Sequence, residues 1–92
     1  MKHYVYIIQS EMDGSYYAGS AHNVPLRVHR HNEGWTKSTK GKRPWKLVYV
    51  KEFDTKTEPL RFERYIKKMK SRAFIEKLIR DAVPPKSGGI SA

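Results

Sequence analysis

The sequence predicts a small α+β domain in which helices flank a three-stranded antiparallel sheet, in the order β-β-α-β-α-α. Two observations support this prediction. Runs of β-branched and aromatic residues are bounded by turn residues, and segments with helical spacing of apolar side chains follow them. A chain of 92 residues suffices for one modest core. We therefore expect a single domain over residues 1–82 and a disordered Ser/Gly tail over residues 83–92.

The first two strands are predicted to form a hairpin. Residues 3–9 and 15–21 are rich in strand-forming side chains, and an Asp-Gly pair between them is a common turn sequence. Side chains alternate along a strand, so Tyr4 and Tyr6 are expected on the same face of the sheet.

The first helix is predicted to begin after Asn23 and to end at Gly34. Asn is a favourable N-cap, and Pro25 falls in the first turn, where its missing N–H is not needed. Glycine is the commonest residue just after a helix. The polar segment 34–44 is long for a connection in a compact domain, and we therefore expect it to be a functional loop.

A third strand and two further helices complete the prediction. Residues 45–53 have the composition of a strand, which we expect to be central. The second helix is predicted to begin near Thr55 or Thr57, and Ser71 to cap the third, which ends before Pro84. We expect the second helix to pack on the sheet through Phe62, Tyr65, Ile66 and Met69.

Basic residues dominate the charge of the chain. Nineteen Lys and Arg against nine Asp and Glu give a net charge of +10, which in so small a domain indicates a polyanionic partner. We expect this partner to be DNA, with RNA as the alternative, although a basic surface can also serve solubility alone. The residues assigned to this contact are Lys37, Lys40, Lys42, Arg43, Arg64 and Lys67.

Several classes of protein are excluded by composition. There is no cysteine, which rules out disulfides, cysteine-ligated zinc and thiol nucleophiles. No apolar run reaches the roughly 18 residues that a membrane span needs. The N-terminus enters the first strand pattern directly, which leaves no room for a secretion signal. We therefore expect a cytoplasmic, monomeric protein without membrane contacts.

Two tyrosine-containing segments resemble the motifs of a known nuclease family. Val5-Tyr6 stands where GIY-YIG nucleases have Ile-Tyr of the first motif, and Tyr17-Ala18-Gly19 stands where they have Tyr-Ile-Gly of the second. The resemblance covers roughly residues 3–80 and is closest to the small stand-alone bacterial members. The chain departs from the family where many relatives have Gly, Lys and Tyr, at Tyr4, Ser20 and Ser38 respectively.

The resemblance implies a metal-dependent endonuclease that hydrolyses DNA phosphodiester bonds. It places the catalytic residues at Tyr6, Tyr17, Arg27, His31 and Glu63. Glu63 would hold one Mg²⁺ or Mn²⁺ ion, and Arg27 would hold a phosphate oxygen. The base is one of the two tyrosines, of which we favour Tyr6. With no second domain to read a sequence, we expect little sequence specificity and a preference for branched or nicked DNA.

Other interpretations fit the same residues. Tyrosine is a common strand residue, so Tyr6 and Tyr17 are also compatible with a purely structural role. Glu63 is compatible with an i,i+4 ion pair to Lys67. Trp35 fits either a contact with a base or sugar, or packing beneath the loop. The whole chain is also compatible with a non-catalytic nucleic-acid-binding module or a binder of an acidic protein.

Overall fold

The computed structural model describes residues 2–82 and confirms the predicted fold class. The sheet has three antiparallel strands in the order β2-β1-β3. The strands are β1 (His3–Ser10), β2 (Tyr16–Ala21) and β3 (Trp45–Phe53). The helices are α1 (Val24–Glu33), α2 (Lys37–Lys40), α3 (Thr57–Met69) and α4 (Arg72–Asp81). The predicted tail, residues 83–92, lies outside the described residues.

The central strand is β1. It pairs with both other strands, so the prediction that residues 45–53 form the central strand is wrong. Four consecutive side chains of β1 are at most 1% exposed, whereas β3 has exposed side chains along most of its length. A continuous buried run is typical of a strand that is covered on both faces. The buried run in β1 consists of Val5, Tyr6, Ile7 and Ile8.

Helices cover both faces of the sheet. On one face Val5 packs in a cluster with Ile66 of α3, and side chains of α4 extend this cluster. On the other face Tyr6 packs with Val24 of α1. Tyr4 packs against the same cluster as Tyr6, so the predicted alternation along β1 is confirmed. The polar atoms of Tyr6 are thereby directed towards α1.

The helix ends follow the predicted caps. The side chain of Asn23 accepts a hydrogen bond from the amide of Leu26, and Gly34 ends α1 with a φ of 87°. The hydroxyl of Ser71 accepts a hydrogen bond from the amide of Phe74 at 3.1 Å. The Asn23 and Gly34 caps fix the start and end of α1, which carries the candidate site residues Arg27 and His31.

The predicted loop over residues 34–44 contains a one-turn helix, α2. The amides of Thr39 and Lys40 donate to the carbonyl of Thr36 at 3.1 and 2.9 Å. Tertiary contacts hold this turn in place. Thr39 is fully buried, and its carbonyl accepts a hydrogen bond from the indole N–H of Trp45 at 2.8 Å. Such a short helix depends on tertiary contacts, which a polar composition does not reveal.

The predicted apolar face of α3 is buried only in part. Ile66 is 2% exposed and Phe62 is half-buried, whereas Tyr65 and Met69 are 50% and 43% exposed. Tyr65 contacts Phe74 of α4 edge-on, with 5.6 Å between ring centroids. The prediction that all four residues pack on the sheet is therefore wrong for Tyr65 and Met69. No helix within residues 2–82 has the length and apolar content needed to cross a membrane.

Candidate active site

A buried hydrogen bond joins the central strand to α1. The phenol oxygen of Tyr6 lies 2.8 Å from Nε2 of His31. Both side chains are almost fully buried, at 1% and 2% exposure. His31 lies in the last turn of α1, which packs over the sheet face that carries Tyr6. A polar pair of this kind inside the core needs all of its hydrogen bonds to be made.

Thr39 supplies the partner for the other nitrogen of the His31 ring. Nδ1 of His31 lies 2.9 Å from the Thr39 hydroxyl, which in turn lies 3.3 Å from the carbonyl of Thr36. The Thr39 hydroxyl donates its single hydrogen to the carbonyl of Thr36. The lone pairs of the Thr39 oxygen then accept a hydrogen bond from Nδ1–H of His31. We therefore assign the imidazole proton to Nδ1, which leaves Nε2 to accept the phenol proton of Tyr6.

Gly19 gives the Tyr6 ring the space it occupies. The two residues are partners across β1 and β2, and a Cβ on Gly19 would lie 2.5 Å from the phenol oxygen. Any side chain at this position would displace the ring. A glycine is therefore needed at position 19 so that the Tyr6 ring can lie close to the β2 backbone.

Burial sets the protonation states of the pair. Burial raises the pKa of Tyr6 to about 12, while the positive charge of Arg27 opposes this shift. Burial also lowers the pKa of His31 below its ordinary value of 6.5, and Arg27 lowers it further. At neutral pH the site therefore holds a protonated phenol next to a neutral imidazole.

Tyr17 lies between the His31 ring and α3. Its ring contacts His31 edge-on, with centroids 5.1 Å apart. The ammonium of Lys67 lies 5.2 Å from the centroid of the same ring. Tyr17 is half-buried, so its ring links the buried hydrogen bond to the exposed part of the site.

Glu63 extends from α3 towards β2. The hydroxyl of Ser20 donates to Oε1 at 2.8 Å, and the ammonium of Lys67 lies 2.8 Å from Oε2. The Glu63 side chain is 20% exposed and that of Lys67 is 49% exposed. The i,i+4 ion pair that competed with the metal interpretation is therefore present in the fold.

The Glu63 carboxylate fits a hydrated divalent cation as a single ligand. Mg²⁺ keeps several of its waters and often binds through one or two carboxylates. A cation at Oε2 would take the place of the Lys67 ammonium, whose half-exposed side chain has room to move. Within residues 2–82 no group of three or more His, Asp or Glu side chains is arranged to hold a metal. Glu63 is therefore compatible with one ion whose other ligands are mainly water, and not with an ion that is held by protein side chains alone.

The structure brings the predicted catalytic residues to one part of the molecule. Arg27 is exposed and lies one helical turn before His31, close enough for its charge to shift the pKa of both Tyr6 and His31. Tyr17 and Glu63 also act on the pKa of Tyr6. Thr39 and Ser20 were missed as site residues, because neither a buried threonine nor a serine facing a carboxylate can be recognised before the fold is known.

The predicted nucleic-acid contacts form two exposed groups. The ammonium of Lys42 lies 3.6 Å from Asp13, and Arg43 donates to the carbonyl of Lys40 at 2.8 Å. The first group follows α1 and contains Lys37, Lys40, Lys42 and Arg43; the second lies on α3 and contains Arg64 and Lys67. Lys67 is the member that touches the candidate site directly, through Glu63.

Comparison with known proteins identifies the family. The family model of the GIY-YIG catalytic domain matches residues 2–77. The chain belongs to the GIY-YIG family. The motif resemblance around Tyr6 and Tyr17 is thereby confirmed. GIY-YIG domains form a nuclease superfamily that acts on nucleic acids and generally depends on divalent metals.

Relatives of this GIY-YIG domain include small bacterial proteins. UPF0213 proteins of Staphylococcus saprophyticus and Staphylococcus epidermidis are each 48% identical over 67 residues, which is 72% of this chain and 80% of theirs. The solution NMR structure of a UPF0213 protein from Bacillus halodurans is similar with a TM-score of 0.57 at 36% identity. That similarity covers 100% of this chain and 99% of the other.

Proposed function

We propose that this GIY-YIG protein is an endonuclease that hydrolyses DNA phosphodiester bonds with little sequence specificity, preferring branched or nicked DNA. The observation that supports this most directly is the 2.8 Å hydrogen bond between Tyr6 and His31, next to the charge of Arg27. A proton donor, a proton acceptor and a permanent cation in one place are groups that can catalyse phosphodiester hydrolysis.

Tyr6 and His31 form a path for the proton of the attacking water. As the water oxygen bonds to phosphorus, its proton passes to the Tyr6 oxygen while the phenol proton passes to Nε2 of His31. This relay never requires a free phenolate, which a pKa of about 12 disfavours. The phosphorus–oxygen bond opposite the attacking oxygen breaks, and the leaving oxygen takes a proton from solvent. His31 then returns its added proton to Tyr6, which releases one proton to solvent.

Arg27 binds the phosphate and couples binding to the relay. Its guanidinium stays charged and can donate two N–H groups to the non-bridging oxygens. In the free protein this charge lowers the pKa of His31. A bound phosphate offsets the charge of Arg27, so His31 becomes a better proton acceptor when substrate is present.

Glu63 is the residue that we assign to one Mg²⁺ or Mn²⁺ ion. When bound, the ion supplies positive charge that stabilises the phosphate in the transition state. If an ion took its place at Glu63, Lys67 would be free to contact a phosphate of the DNA backbone. Tyr17 packs against His31 and keeps its ring in place.

A second candidate is a non-catalytic module that binds nucleic acid. The observation that favours it is that Ser20 and Lys67 already partner both carboxylate oxygens of Glu63. If this arrangement persists in the presence of metal, the basic surface binds DNA without cleaving it.

Cleavage of supercoiled plasmid, with Mg²⁺, Mn²⁺ or a chelator, separates the two candidates. The parent protein should nick and linearise the plasmid only with metal, and Glu63→Gln should do neither. Glu76→Gln is the matched control, because Glu76 forms a comparable i,i+4 pair with Arg72 at 3.1 Å on α4. Retained DNA binding without cleavage by the parent protein would favour the binding module. Equal cleavage by parent and Glu63→Gln would contradict the assignment of Glu63.

A further inference from the structure

An exposed tryptophan follows the helix that carries Arg27 and His31. Trp35 is 68% exposed, whereas Trp45 is only 4% exposed. Packing beneath the loop, one of the two interpretations of Trp35, is therefore wrong. Trp35 follows Gly34, the C-cap of α1, and its amide donates to the carbonyl of Arg30 in the last turn of that helix. A single exposed apolar ring is common on protein surfaces, so the contacts of Trp35 decide what it can do.

Two contacts orient the indole of Trp35, and a third holds its backbone. The guanidinium of Arg30 lies over the ring, 5.1 Å from its centroid. The indole N–H donates to the carboxylate of Glu33 at 3.2 Å, and the backbone amide of Trp35 donates to the carbonyl of Arg30 at 3.1 Å. Arg30 covers one face of the ring, and the high exposure leaves the opposite face open. An aromatic ring that is fixed before binding loses little entropy when a ligand stacks on it.

Two further basic side chains lie against the residue that precedes Trp35. A Cβ at Gly34 would lie 3.1 Å from the guanidinium of Arg43 and 3.4 Å from the Lys40 side chain, so both side chains lie against the backbone just before Trp35. Gly34 also has a φ of 87°, a conformation that other residues rarely adopt. The glycine therefore lets two basic side chains of the loop lie close to the backbone next to Trp35.

We propose that Trp35 is a stacking platform for an unpaired nucleobase of the DNA substrate, with Arg30, Lys40 and Arg43 binding the phosphates of that strand. An aromatic face among cations is how proteins hold single-stranded nucleic acid. A base within a duplex is stacked on its neighbours and cannot present its face to the indole. The favoured substrate is therefore DNA with unpaired nucleotides beside the cleaved bond, such as an overhang or a flap. This inference rests on the proposed function, because the endonuclease proposal determines which phosphodiester bond is cleaved.

Binding in the presence of a chelator tests the platform without any cleavage. The ligands are a labelled blunt duplex, the same duplex with a single-stranded overhang, and the single strand. Trp35→Ala should weaken binding of the overhang and the single strand roughly five- to 150-fold, the range measured for loss of one base–aromatic stack, and leave the blunt duplex within about twofold. Trp35→Phe should retain most of the affinity. Met12→Ala is the matched control, because Met12 is 70% exposed on the β1–β2 turn, and it should bind every ligand like the parent protein.

Tryptophan fluorescence gives a second measurement that needs no destabilising variant. The overhang should quench the emission of the parent protein. It should leave the emission of Trp35→Phe unchanged, because its remaining tryptophan, Trp45, is buried. Thermal denaturation checks that each variant folds like the parent.

Three results would overturn the platform: equal losses on the blunt duplex and the overhang, no loss on either, or a parent dimer that Trp35→Ala converts to a monomer. In the last case the indole is a contact between two copies of the chain. Selective effects of Trp35 in a protein that never cleaves DNA would overturn the endonuclease proposal alone. Cleavage without any selective effect of Trp35 would overturn the platform alone.

Discussion

Gly19 lies directly opposite Tyr6 across the β1–β2 ladder, and the phenol ring of Tyr6 fills the space that a side chain at Gly19 would need. The register of these two strands therefore fixes the phenol oxygen at hydrogen-bond distance from His31. The two motifs of the hairpin act as one unit, because the glycine of the second makes room for the tyrosine of the first.

Gly19→Ala should disrupt the site and destabilise the fold. A Cβ at 2.5 Å from the phenol oxygen forces the ring to move. We expect a destabilisation of about 1–3 kcal/mol, typical of overpacking. We also expect a loss of cleavage of about 100-fold, because small misplacements of a reacting group have effects of that size. Thermal denaturation and plasmid cleavage measure the two effects.

Gly41→Ala is the control for this substitution. A Cβ at Gly41 would meet nothing within 4 Å, and φ there is −79°, so alanine is tolerated. Stability and cleavage should match those of the parent protein. If Gly19→Ala behaved like Gly41→Ala, the close approach of Tyr6 and Gly19 would not matter for the site.

Tyr6→Phe tests whether Tyr6 carries the proton. The variant keeps the ring and loses the hydroxyl, so cleavage should fall by about 10²- to 10⁴-fold, the usual contribution of general acid–base catalysis. Stability should fall by about 1–3 kcal/mol, because Nε2 of buried His31 loses its partner. Single-turnover cleavage and denaturation with urea measure these effects.

Tyr17→Phe and Tyr4→Phe are the comparisons for Tyr6→Phe. Tyr17→Phe keeps the ring that contacts His31 and should retain much more activity than Tyr6→Phe. Tyr4→Phe, on the same face of the sheet, should retain all of it. A larger loss from Tyr17→Phe than from Tyr6→Phe would assign the base to Tyr17.

Much of the fold follows from the sequence because local rules determine it. The hairpin turn, the Asn23 cap and the Gly34 stop act over a few residues, so pattern and composition predict them. Composition predicts the wrong central strand, because residues 45–53 have the more obvious strand composition. The order of strands depends on which faces the helices cover, and the continuous burial of β1 is a tertiary property.

The sequence motifs predict some of the site residues, whereas other site residues and all of the contacts between them depend on the tertiary fold. The motif pattern pointed to Tyr6 and His31, but nothing in the sequence shows that they contact each other. Thr39 lies in a polar segment in which threonine is ordinary, and only the turn α2 and the Trp45 indole bury it. The pairing of Ser20 with Glu63 joins β2 to α3 and depends on how α3 packs on the sheet.

Thr39→Val should change the tautomer of His31 while keeping the shape of the side chain. Without the hydroxyl, Nδ1–H loses its acceptor at 2.9 Å and the preference for Nδ1 protonation weakens. Long-range ¹H–¹⁵N NMR correlations of the imidazole report the tautomer directly. The parent protein and Thr39→Ser should show Nδ1–H, and Thr39→Val a mixed or Nε2–H form with slower cleavage. A parent protein with the proton on Nε2 would reverse the hydrogen bond to Tyr6 and contradict the relay.

The pH dependence of cleavage should follow His31. Protonation of His31 removes the lone pair that accepts the Tyr6 proton, so only the neutral form is active. Burial, aided by Arg27, lowers the pKa of His31 below 6.5. The single-turnover rate should therefore be constant between about pH 7 and 9 and fall as pH drops through the pKa of His31. Tyr6 should add no loss in this range, because its pKa is about 12.

The same pKa shift predicts how stability depends on pH. Since the pKa of His31 is lower in the folded chain than in the unfolded chain, its contribution to stability is complete above about 6.5 and is lost as pH falls through the folded value. NMR titration of the His31 ring measures that value, and Arg27→Gln should raise it by removing a nearby positive charge. A cleavage rate that instead rises tenfold per unit up to about pH 9 would mean that hydroxide formation in solvent, and not transfer through Tyr6 to His31, supplies the nucleophile.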